Sequence, residues 1–196
     1  MTSPGSVGGD GRLRGDERLR LFLGLRLPDD AVAALAAWQA RELANAGGLG
    51  SAGRIVPPEH LHVTLAFLGS TPASDLPAIV GALHESAAAA RPFELAAERY
   101  RETRSVGMLV LTDDSGKAGS LAAGLHGRLE ELGVYRPEGR PWLPHVTVVR
   151  FRERPRLRPP LPALGPVAPS DAAVFMSRLH PSGARYTVLE SFPLNQ

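Results

Sequence analysis

The segment Arg18 to Leu27, RLRLFLGLRL, alternates basic and mostly leucine positions with a period of two, as a strand with one face in a core does. Pro28-Asp29-Asp30 then starts a helix that an alanine- and leucine-rich run carries to about Ala44, where Gly47, Gly48, Gly50 and Gly53 end it. Arg54-Ile55-Val56 reads as a short extended piece and Pro57-Pro58 as a turn. His60 to Gly69, HLHVTLAFLG, is predicted as a strand on its β-propensity. A helix is predicted over Ala73 to Ala90, and strands over Phe93 to Ala97 and Ser105 to Thr112. Leu121, Leu125, Leu129 and Leu132 recur at helical spacing in a helix from Ser120 to Leu132, which Gly133 caps. Leu143 to Phe151 is the next strand. After a proline-rich connector, two more strands, Ala172 to Leu179 and Arg185 to Leu189, close the chain around the turn-forming HPSGA.

Laid side by side, the two halves share a layout rather than a spelling: strand, helix, proline-bearing turn, then a strand opening on His-Val-Thr. His145 follows His62 by 83 residues, and the same shift carries the first strand close to the Ser105 to Thr112 strand. A duplicated βαβ-type unit brings equivalent positions together across a pseudo-two-fold axis, which predicts His62 opposite His145.

Residues 1–17 mix glycine, serine, proline and charge without periodicity and are predicted to be a disordered extension, leaving 18–196 as one domain. The 196-residue length suffices for a core without staples, and 43% hydrophobic with 21% charged residues is ordinary for a globular chain. Absence of cysteine excludes disulfides, thiolate metal sites and a cysteine nucleophile. With no signal-like or membrane-spanning run, a cytoplasmic monomer that does not engage the membrane is expected. The net charge is only +2, yet Arg150, Arg152, Arg154, Arg156 and Arg158 alternate, and would line one side of an extended segment facing phosphate. A solvated arginine-rich loop is the competing reading of that run.

The chemistry resides in the two tripeptides. On a strand, His62 and Thr64 share one face while Val63 points into the core, and His145, Val146 and Thr147 repeat this. Two imidazoles that titrate near neutrality and two hydroxyls facing one cleft suit in-line opening of a cyclic phosphodiester: a base for water, an acid for the leaving oxygen, and donors for the phosphate. One imidazole neutral and one protonated predicts a bell-shaped pH dependence, and the scheme needs neither metal nor cofactor. His60 shares the face of His62; an H-x-H metal pair lacks a third ligand at metal spacing, so His60 reads as cleft rim. His84 and His126, in helices, read as surface residues, and His180 lies in a turn. Phe22 and Tyr186 are candidates for stacking on a base, although Phe22 is better read as core, and Trp142 is either cleft wall or core.

RLFLGLRLPDD, VPPEHLHVTLAFLG, RPWLPHVTVVRF and SGARYTVLESFPL together resemble the 2H phosphoesterase superfamily, and within it the RNA 2′,3′-cyclic phosphodiesterases, also called 2′-5′ RNA ligases. The resemblance runs from about Leu19 to the C-terminus. It implies a bilobal, duplicated α+β fold, two antiparallel sheets facing a central cleft with helices outside. It also implies hydrolysis of RNA 2′,3′-cyclic ends to 2′-phosphomonoesters, with His62 as proton donor to the 3′ oxygen and His145 as acceptor from water. Thr64, Thr147 and Arg150 would hold the phosphate. The loop Thr112 to Ser120 departs from the family core and is expected to alter cleft access. Left open are 2′-5′ ligation of RNA ends, hydrolysis of small cyclic or 2′-5′ nucleotides on the same site, and a non-catalytic nucleotide- or RNA-binding module.

Overall fold

The structure is a computed structural model that describes residues 17–44, 49, 53–137, 139–180 and 183–194. The extension expected over 1–17 lies, apart from its last residue, outside the described residues, as do Gly47, Gly48, Gly50 and the centre of the HPSGA turn.

Among the described residues eight strands form one antiparallel sheet: β1 (Arg18–Arg26), β2 (Gly53–Ile55), β3 (His62–Pro72), β4 (Ala96–Glu102), β5 (Val106–Thr112), β6 (His145–Phe151), β7 (Asp171–His180) and β8 (Gly183–Pro193). Three α-helices are found among the described residues: α1 (Asp29–Trp38), which continues as a π-helical turn over Gln39–Ala44, α2 (Leu76–Ala89) and α3 (Lys117–Glu131). Asp29 and Asp30 sit favourably in the first turn of α1. The strand order is β4-β5-β6-β3-β1-β7-β8, with β2 pairing β6. β3 and β6 touch through a single pair, Val63 with Val146, so the two expected sheets are halves of one sheet pinched at that seam.

The order is symmetric about the seam. On one side β3 pairs β1, and β1 pairs β7; on the other β6 pairs β5, and β5 pairs β4. The third strand of each half is exchanged: α2 carries the chain from β3 across to β4, and the connector 152–170 carries it from β6 back to β7. Where these crossings meet, Leu95 and Val167 exchange backbone hydrogen bonds of 2.9 and 2.8 Å.

Val63 and Val146 are fully buried, joining Leu35, Trp38, Ile79, Leu83, Leu125 and Leu129 in one core between sheet and helices. The opposite face carries a smaller apolar cluster of Phe22, Ala173 and Phe175 with Tyr186 against it. Two buried side chains are tied in by hydrogen bonds: Gln39 donates through Nε2 to the carbonyls of Val56 (3.0 Å) and Val148 (2.7 Å), and Trp38 Nε1 donates to Pro160 O (2.8 Å).

Three expectations change. The strand expected over Phe93 to Ala97 begins at Ala96 and runs to Glu102; it is an edge strand, whose charged side chains suit solvent and mask the strand pattern. His126 is not a surface residue: its Nε2–H donates to Leu65 O at 2.8 Å and its ring stacks on Tyr135 at 4.7 Å. The arginine run does not form one phosphate-facing side, because β6 ends at Phe151 and the alternation ends with it. Arg154 instead pairs with the buried Glu102 carboxylate at 3.1 Å. Among the described residues no helix is long and apolar enough to cross a membrane.

Candidate active site

Both tripeptides open their strands with the burial alternation the sequence predicted: His62, Thr64, His145 and Thr147 are half-buried on the face away from the helices, and Val63 and Val146 are buried beneath them. Because the strands run antiparallel through the Val63–Val146 pair, His62 falls toward Thr147 and His145 toward Thr64. Two adjoining hollows lie over the seam. One of about 340 Å³ is lined by His62, His60, Thr147, Arg150 and Tyr186; the other, of about 670 Å³, by His145, Trp142 and Tyr135. Thr64 and Phe67 belong to both.

The imidazoles are oriented alike. His62 Nδ1–H donates to His60 O at 2.7 Å and His145 Nδ1–H to Leu143 O at 2.8 Å, the carbonyl two residues back in each case. A carbonyl only accepts, so each neutral ring carries its proton on Nδ1 and presents an Nε2 lone pair. His62 Nε2 accepts from the Thr64 hydroxyl at 3.1 Å. Gly24 makes room for this: a Cβ there would lie 3.0 Å from Val63 O and 3.2 Å from His62 Cδ2.

Phe22 is core by burial but also the floor of the site. Its ring stacks on His62 at 4.8 Å and lies parallel to Phe175 at 4.7 Å, with Tyr186 edge-on at 4.9 Å. That apolar bed disfavours a charged imidazole, and electrostatic interaction with His145, His60 and Arg150 adds to the effect. Together they outweigh the His60 carbonyl bond and hold the His62 pKa down at about 4. His60 packs on Tyr186 at 4.3 Å and is likewise lowered, chiefly by burial, with Arg54 and Arg150 against the cation and Glu59 for it.

Trp142 is a wall residue that also fastens the seam, its Nε1 donating to Thr64 O at 3.0 Å. Arg54 and Arg150 are Cα partners across β2 and β6 and line the same hollow. Like charges side by side with no carboxylate partner among the described residues give that wall a positive character suited to an anion. Gly183, at φ +121°, lies where a Cβ would collide with the Arg54 guanidinium. His84 is exposed beside Phe192, and His180 stands at the end of β7, outside both hollows. Part of the segment Thr112 to Ser120, expected to alter access, lines a separate hollow, where Thr112, Asp114 and Ser115 face Pro92 and Phe93; within that segment only Gly119, in α3, reaches the cleft.

Sequence reading missed Arg20, Arg54 and Phe67. Arg20 shares the parity of Phe22 on β1, so its signal was available. Phe67 was hidden by a bulge: Ala66 pairs with Leu23 and Thr64 with Gly24, so Leu65 is an extra residue that reverses the face of everything after it. The second motif repeats the device at Val148, between Thr147 opposite Met108 and Val149 opposite Gly107. Arg150 reaches the hollow through that bulge, and Phe67 and Arg150 are equivalent positions, 83 residues apart like the histidines.

Known proteins share this fold. The family model described as LigT-like phosphoesterase matches residues 25–105. A curated Thermus thermophilus protein named RNA 2′,3′-cyclic phosphodiesterase is 33% identical over 191 residues, covering 90% of each chain. The crystal structure of the Thermus thermophilus protein TT0787 superposes with a TM-score of 0.73 at 34% identity, over 90% of this chain and 98% of that one. E. coli LigT complexed with 3′-AMP does so with a TM-score of 0.74 at 25% identity, over 92% of this chain and 100% of that one.

Proposed function

The chain belongs to the LigT-like phosphoesterase family, and on that footing we propose that it opens RNA 2′,3′-cyclic phosphate ends to 2′-phosphomonoesters, with His62 and His145 as its acid–base pair. The observation that carries the reading is the seam: two equivalent strands meet at one valine pair and turn both Nε2 atoms, both threonine hydroxyls and Arg150 toward one cleft.

In the reaction a water oxygen bonds to phosphorus in line with the 3′ oxygen. The base Nε2 takes the water proton, the bond from phosphorus to the 3′ oxygen breaks, and the acid Nε2 protonates that oxygen. One water is consumed, leaving a 2′-phosphate and a free 3′ hydroxyl. Thr64 and Thr147 donate to the non-bridging oxygens, and Arg150 balances their charge. The family resemblance makes His62 the donor and His145 the acceptor.

Donor duty for His62 needs substrate charge, because the free ring is neutral at pH 7 with its pKa at about 4. One negative charge about 4 Å away at an effective dielectric of about 20 favours the imidazolium by about 4 kcal/mol, roughly a thousandfold in proton affinity. The phosphate that is to be cleaved thus charges its own acid.

The test is incubation, with EDTA present, with a short RNA ending in a 2′,3′-cyclic phosphate, the phosphate position being read in the product. The parent gives a 2′-phosphate; His62→Ala and His145→Ala abolish it. Cleavage that persists in either variant, or that requires added metal, overturns the two-histidine mechanism.

A further inference from the structure

The wall of the smaller hollow holds one cation more than the proposed reaction uses. A cyclic phosphodiester carries a single negative charge, which Arg150 and the protonated acid already answer. Arg54 stands beside Arg150 as its Cα partner across β2 and β6, on the same face and about 5 Å away at the backbone. Two guanidinium groups at that spacing repel, and no carboxylate among the described residues relieves them.

The Arg54 guanidinium is also held in place. Gly183, at φ +121° where β8 begins, lies against it so closely that a Cβ would collide with its Nη1, Cζ and Nη2 atoms together. Arg150 opposes positive charge on both His62 and His60, whereas Arg54 does so on His60. Arg54 therefore stands on the His60 side of the hollow, one step outward from the reacting centre.

A fixed cation beside the first, in a hollow of about 340 Å³, fits a second anion tied covalently to the first. In a nucleotide that bears a 2′,3′-cyclic phosphate, the next anion is the phosphate on O5′. It is either the internucleotide diester of an RNA chain or a terminal 5′-phosphate. We propose that Arg54 receives the phosphate on O5′ of the reacting nucleotide and so sets a preference for 5′-phosphorylated ends over bare cyclic nucleosides. This rests on the reaction proposed above.

The experiment compares three substrates: adenosine 2′,3′-cyclic phosphate, the same compound with a 5′-phosphate, and the dinucleotide ApA ending in a 2′,3′-cyclic phosphate. Each is assayed with the parent, Arg54→Ala and Arg54→Lys. Arg54→Ala is expected to raise KM about tenfold more on the two substrates that carry an O5′ phosphate than on the bare nucleoside, with kcat little affected. It should also reduce the salt dependence of their KM by about one charge. Arg54→Lys, which keeps the charge but not the planar fork, should fall between. A selective loss on the dinucleotide identifies the occupant as the RNA diester, and one confined to the 5′-monophosphate identifies a mononucleotide. Equal losses on all three substrates, or no loss on any, overturn the assignment. If the parent turns over none of them, the proposed reaction fails, and calorimetric titration with adenosine 2′,5′-bisphosphate and adenosine 2′-phosphate reads the site directly. Tighter binding of the bisphosphate that Arg54→Ala removes upholds the assignment, and equal Kd values in the parent overturn it.

Discussion

Binding of inorganic phosphate should charge His62. In the free protein its ring lies on Phe22 and beside Phe175 and Tyr186, and that burial, with His145, His60 and Arg150 nearby, sets its pKa at about 4 against an ordinary 6.5. A phosphate oxygen about 4 Å away opposes this by about 4 kcal/mol, enough to make the ring substantially protonated near neutral pH. The same depression makes stability depend on pH. Above about 6.5 both folded and unfolded states hold His62 neutral. As pH falls from about 6.5 to about 4 the unfolded chain takes up the proton first, so the fold loses up to about 3 kcal/mol, and below that both states are charged. Histidine NMR titration, with His62→Asn to assign the signal, reads the first effect; urea unfolding of the parent and the variant across the same window reads the second. A free His62 that titrates at its ordinary value, or whose titration phosphate leaves in place, would refute the idea that substrate charges the acid.

Two further predictions follow from packing. Gly24→Ala sets a methyl against the His62 ring and the Val63 carbonyl, and is expected to lower kcat roughly ten- to a hundredfold through misplacement of the imidazole, read in steady-state kinetics alongside an unchanged melting profile. Glu102 accepts from Leu157 N (2.7 Å), Arg156 N (3.0 Å) and Arg154 Nε (3.1 Å) while its side chain is 3% exposed, so Glu102→Ala releases the connector from β4 and leaves the part-buried Leu157 N–H unpartnered; denaturant unfolding should show a loss of about 1–3 kcal/mol.

The motif strands were legible because alternation and β-propensity act locally: His62, Thr64, His145 and Thr147 stand on the face that parity predicts, and the 83-residue shift predicted the axis that Val63 and Val146 occupy. What parity hid lies past each threonine. Simple alternation sends both Phe67 and Arg150 into the core; a bulge at Leu65 and another at Val148 turn them outward, and bulges arise from pairing with β1 and β5, which no local pattern records. Resemblance to a family recovered Arg150 and not Phe67. β4 was shortened because an edge strand wears charges, and His126 passed for a surface residue because its carbonyl partner is 61 positions away.

The exchanged third strands decide how the chain can be made and divided. As the N-terminal half leaves the ribosome, the leucine-rich β1 has β3 on one side and nothing on the other until Asp171–His180 arrives. Its outer edge is therefore an open template until β7 is made, and the first of the eight described strands is completed almost last. Nor can either half be excised as a working piece: a cut between the histidines removes the outer neighbour of β1 from one fragment and leaves the other with β7 and β8 but no β1 to receive them. A protein whose site reads as two copies of one motif is thus obliged to fold as a single unit.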